Sequence, residues 1–167
     1  MNIETEHKEI IPLNDFELGW RWKKTHNPDI SESEKNQILP VSELESKRLY
    51  KIIKYFEIEG NLTEKYTQTD WISASQESKD KTERFQKQIE SILKPWDEDI
   101  LINWHRNITL KTTKKIFIKY WTDFLYPSSD DVTIISEKTN WIIFYRHFEV
   151  ANIWTKITDR NEGNNQK

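Results

Sequence analysis

The chain has 167 residues, enough for one domain with its own core, and no cysteine, which excludes disulfides, thiolate zinc sites, iron–sulfur clusters and a cysteine nucleophile. Twenty-five Lys and Arg against 28 Asp and Glu leave a formal charge of −3, the wrong sign for a generally basic nucleic-acid binder. Eight Trp, six Tyr and seven Phe offset a modest apolar content, because each ring can bury about 150–250 Å².

From the N-terminus, residues 1–9 are polar and are expected to fray, as are residues 159–167 at the other end. The opening MNIETEHKEIIPL carries acids and no apolar stretch of signal-peptide length, and no run approaches a membrane span, so a soluble cytoplasmic protein is expected. Trp20 and Trp22 alternate as in a strand, with Arg21 and Lys23 on the other side. Ser31 and Glu34 form a capping-box pattern for a short helix that stops before Pro40; Ser42 and Glu45 form a second. Behind the second, Leu44, Leu49, Ile52, Ile53 and Phe56 recur at helical spacing, predicting a helix over about 43–57. Phe85, Ile89, Ile92 and Leu93 give the buried stripe of another over about 78–94, ended by Pro95.

Ile100 to Trp104 reads as a strand. Thr112 or Thr113 then caps a helix whose apolar positions are Ile116, Phe117, Tyr120, Trp121 and Phe124, and Pro127 stops it. Val132–Ile135 and Trp141–His147 read as strands around a turn at Ser136–Asn140, and Ile153–Ile157 as a last one. Short connections favour antiparallel pairing. The expected architecture is a single α+β domain, helices packed on one face of a small, mainly antiparallel sheet.

Chemistry-bearing positions are few. Asp130 and Asp131 follow Tyr126-Pro127-Ser128-Ser129; paired carboxylates beside hydroxyls suit a metal or a basic partner, yet neighbours in a strand point to opposite faces and Pro, Ser and Asp are turn formers. The four histidines show no ligand spacing, although His105 and His147 can meet across the sheet, with Glu149 near. Ser128 and Ser129 lack the Gly-x-Ser-x-Gly elbow, and no Walker loop, dinucleotide fingerprint or His-Glu-x-x-His occurs. Lys111, Lys115 and Lys119 fall on one helical face, the best local case for a polyanion, and read more simply as a solvated surface.

The order Phe117-x-x-Tyr120-Trp121-x-Asp123-Phe124, Tyr126-Pro-Ser-Ser-Asp-Asp-Val132-x-Ile134 and Trp141-x-x-Phe144-Tyr145-x-His147, with Gly19-Trp20-Arg21-Trp22 and His26-Asn27, resembles a group of small bacterial proteins of unknown function over about residues 16–150. The resemblance implies a bacterial source and a compact α+β domain, and brings no catalytic residues.

The functional expectation is a non-enzymatic protein-binding domain that takes no cofactor or metal. An immunity protein neutralising a cognate bacterial toxin, for example a nuclease with a basic cleft, fits an acidic, Trp-rich chain without a reaction centre. Its expected contacts are Asp130, Asp131, Trp20, Trp22 and Tyr126, with neither membrane nor nucleic acid as partner. The alternative is an enzyme or small-ligand binder with a pocket where Asp130, Asp131, His105 and His147 converge.

Overall fold

Side-chain caps set the helix starts. In the computed structural model, which describes residues 3–157, Ser31 and Glu34 form a full capping box for α1 (Glu32–Lys35). The Ser42 hydroxyl accepts the Glu45 N–H to start α2 (Glu43–Phe56), and Ser78 accepts the Lys81 N–H to start α3 (Lys79–Leu93). Thr113 caps α4 (Lys114–Lys119), which breaks at Tyr120 before the single turn of α5 (Trp121–Phe124). The one helix expected here is therefore two. The break lets Phe117, Trp121 and Phe124 all reach the core.

The strands are β1 (Leu39–Pro40), β2 (Tyr66–Gln68), β3 (Ile72–Ser73), β4 (Asp99–His105), β5 (Ile108–Thr113), β6 (Val132–Ser136), β7 (Trp141–Arg146) and β8 (Val150–Lys156). They form one eight-stranded sheet in the order β1-β5-β4-β6-β7-β8-β2, with β3 also on β8, and every pair is antiparallel.

The expected α+β class and antiparallel pairing hold, and the layering is richer than the sequence reading. Alternate residues of the central strands feed two cores. Ile100, Ile102, Val132, Ile134, Trp141, Ile143 and Ile153 pack with Phe85 and Ile89 of α3, Phe117 of α4 and Trp121 and Phe124 of α5. Leu101, Ile135, Ile142, Phe144 and Trp154 pack with Leu49, Ile53 and Phe56 of α2. Helices therefore cover both faces. This is why Trp141–Tyr145 is buried at every position instead of alternating between core and water. The three α2 anchors each stabilise the second layer by about 1.5–3 kcal/mol.

From residue 3 the N-terminal segment expected to fray is packed on the domain: Ile3 is buried against the α2 layer, and Arg48 donates to the Glu4 carbonyl at 2.9 Å. The polar end expected at residues 159–167 lies outside the described residues. Among the described residues no helix is long and apolar enough to cross a membrane.

Candidate functional site

At one end of the sheet the β4–β5 and β7–β8 hairpins, the turn from Tyr126 to Asp131 and the segment around Gly19–Trp22 come together. Gly19–Trp22 is a 3₁₀ turn and not a strand. A Cβ at Gly19 would lie 2.0 Å from the Leu13 carbonyl oxygen, so only glycine lets the chain close this turn. The three-fold turn sends its residues in different directions. Trp20 is 38% exposed, whereas Trp22 is 1% exposed and packs on Phe16 and Phe124.

Arg21 points inward, 4% exposed, and meets Asp130, 6% exposed. The pair is bidentate, Nη1 to Oδ2 at 2.7 Å and Nη2 to Oδ1 at 3.1 Å. Arg21 also donates to the Phe124 carbonyl at 3.4 Å, and its guanidinium lies over the Tyr126 ring at 4.1 Å. Asp130 in turn accepts from Trp104 Nε1 at 3.2 Å, the Tyr126 N–H at 2.9 Å and the Ser129 hydroxyl at 3.0 Å. Burial alone would raise its pKa. The Arg21 hydrogen bonds, the Tyr126 N–H and the Arg21 charge outweigh burial and hold it below the ordinary value.

Asp131 takes the opposite course, as neighbours in an extended segment should. It is exposed and accepts both the backbone N–H and Nδ1 of His147, each at 2.9 Å. Burial opposes and the His147 contacts favour its ionised form, leaving the pKa lowered. The Ser128 N–H, at a left-handed φ of 66°, donates to the His147 carbonyl at 2.8 Å and ties the turn to the β7–β8 hairpin. Beyond it stands Phe148, 65% exposed, edge-on to His147. On the other flank Trp20 packs edge-on against both Tyr126 and His26. A further carboxylate, Asp123, accepts from buried Asn27 at 2.7 Å; burial pushes its pKa up to about 6 despite the Arg21 charge.

Of the expected partner contacts, Trp20, Tyr126 and Asp131 thus lie at or near the surface of this end. Trp22 and Asp130 are buried, which corrects their assignment to a contact surface. Trp22 fills the core beneath the 3₁₀ turn, and Asp130 is enclosed by its own donors. His105, Asp130 and Asp131 do line one cleft, with Arg21 and Trp104, and His147 joins them through Asp131. Its volume is about 210 Å³, below the ~300–1,000 Å³ usual for ligand pockets. Glu149 instead accepts the Gln76 N–H through its carboxylate, and His105 accepts the Asn107 N–H. No group of three or more His, Asp or Glu suited to a metal occurs among the described residues.

Lys111 also leaves its expected helical face: it lies on β5, paired with Glu137 at 2.6 Å and Asp99 at 3.2 Å. Arg21 is the residue whose importance sequence reasoning missed. An arginine set between two tryptophans, in a chain with an Asp inside an aromatic turn, was the available signal.

Compared with known proteins, the chain matches no family model, no curated protein and no solved structure.

Proposed function

We propose that the protein is a non-enzymatic protein-binding domain that neutralises a cognate bacterial toxin in the cytoplasm, as an immunity protein does. One observation carries this reading. At the loop end of the sheet the buried acid and base, Asp130 and Arg21, are paired with each other, while Trp20, Phe148 and the edge of Tyr126 remain at the surface beside the carboxylate of Asp131. Aromatic side chains held on rigid neighbours are the usual anchors of protein interfaces. An exposed carboxylate on a chain of net charge −3 steers a basic partner into place. A toxin that cleaves nucleic acid presents such a basic surface.

The test is to find whether a neighbouring gene encodes a toxin domain and to assay that domain with this protein. Equimolar protein should abolish its activity, and Trp20→Ala with Phe148→Ala should weaken the complex by roughly 1,000-fold, since hot-spot aromatics each contribute about 2 kcal/mol or more. A toxin that stays fully active in excess protein removes the reading. The cleft between His105 and Asp131 supports the second reading, a small-ligand site. It gains ground if His105→Ala changes the binding of a small anion or cation without touching toxin inhibition.

A further inference from the structure

Lysines cluster around one groove of this molecule. A groove of about 680 Å³ runs between α3 and α4, lined by Lys87 of α3, Lys94 just past its end, and Lys114, Lys115 and Lys119 of α4, with Glu90 as its one acid. Five lysines facing one glutamate stand out in a chain whose formal charge is −3. Two of the five have structural partners. Lys114 donates to the carbonyls of Leu93 and Trp96 and so caps the C-terminus of α3. Lys119 pairs with Glu34 at 2.5 Å, and that hydrogen bond, with those from Ser31 and Tyr120, draws the Glu34 pKa down to about 2. Lys87, Lys94 and Lys115 are exposed and have no ion pair among the described residues.

Ile118 of α4 lies in the groove, and on the outer face of α3 a shallow continuation adds Arg84, Gln88 and Ile92. Ile118 is only 9% exposed and Ile92 half-buried, so the groove is chiefly a cluster of cations whose lysine stems supply most of its apolar surface.

We propose that this groove docks an acidic segment of a protein partner, its carboxylates on Lys87, Lys94 and Lys115 and its apolar side chains on Ile92 and the lysine stems. Charge complementarity names the occupant. A nucleic acid fits less well. None of the lining residues is aromatic, so the groove has no ring platform for a base. The inference does not depend on the toxin reading, because it concerns helices α3 and α4 and not the loop end of the sheet.

The experiment uses fluorescence anisotropy at low salt with a short labelled peptide of alternating Glu and Leu. The comparators are the same peptide with Gln for Glu, and a labelled single-stranded DNA of equal charge. The full chain is compared with the triple variant K87E/K94E/K115E, whose fold is checked by far-UV circular dichroism; all three side chains are exposed, so the fold should survive. The expected result is saturable binding of the Glu–Leu peptide, much weaker binding of the Gln peptide and the DNA, and a loss of roughly 30-fold in the triple variant with a flatter salt dependence. Three outcomes each overturn the proposal: no saturable peptide binding, unchanged affinity in the folded triple variant, or DNA bound as tightly as the peptide.

Discussion

The Arg21–Asp130 pair makes the sharpest prediction, because its two members are 109 residues apart and meet with almost no solvent. Replacing Asp130 by Asn keeps the shape and removes the charge. Arg21 is then left buried, with the Phe124 carbonyl at 3.4 Å as a remaining acceptor. The Asn amide can serve only some of the donors from Arg21, Trp104, Tyr126 and Ser129 that the carboxylate accepts. Removing one partner of a buried ion pair costs about 3–5 kcal/mol, and we expect a value near the middle of that range. Against a typical domain stability of about 5–15 kcal/mol the variant should fold with a much reduced margin.

Replacing both partners with apolar residues, Arg21→Met with Asp130→Leu, removes the stranded charge as well. It should cost less than either single change, apart from roughly 1–3 kcal/mol for the N–H groups left without an acceptor. Urea unfolding followed by tryptophan fluorescence gives the free energies, with unchanged m-values as the check that the unfolded state is the same. A single-variant cost below about 1 kcal/mol, or a double-variant cost equal to the sum of the two singles, would show that the pair is not coupled and refute the reasoning.

Asp123 predicts the opposite pH dependence from Asp130. Its folded pKa, about 6, lies above its ordinary 3.8, so its contribution to stability is full below pH ~4 and is lost as pH rises through ~6. Allowing for its partial exposure, the loss is about 1–2 kcal/mol, and Asp123→Asn, which still accepts from Asn27, should flatten unfolding-versus-pH curves in that window. For Asp130, whose folded pKa is depressed, stability is present above the ordinary carboxylate range and is lost as pH falls below ~4. Gly19→Ala should cost about 1–3 kcal/mol by urea unfolding, since the Leu13 carbonyl must move to admit the new carbon; an unchanged midpoint would contradict this. Thr139 holds a left-handed φ of 55°, unfavourable for a β-branched residue, so Thr139→Gly should raise stability by up to ~1 kcal/mol while its carbonyl still accepts the Tyr66 hydroxyl. A lowered melting temperature would count against this strain.

Where the chain carries local signals, its fold is readable from those signals. The α2 and α3 starts follow from Ser42 and Ser78, and β4, β6 and β7 from β-branched and aromatic runs. Strands β2 and β3 escape notice because Tyr66-Thr-Gln and Ile72-Ser are too short and polar to show a period; pairing with β8 creates them. Strand β5 is masked because its Thr112 and Thr113 also read as helix caps, and Thr113 does both jobs. The site was half legible. The turn around Asp130 could be located, but Asp130 and Asp131 differ only in which side of an extended segment they occupy. The cation that buries one of them comes from a 3₁₀ turn whose Trp-x-Trp spacing imitates a strand.

The most direct test of the proposed protein-binding role is an amide-exchange footprint of this chain with and without a candidate toxin domain, should a neighbouring gene encode one. The account predicts slowed exchange in residues 126–131 and 146–150 and around Trp20, lost together when Trp20 and Phe148 are changed to alanine. A tight complex that leaves those segments unprotected would contradict it, as would the absence of any complex.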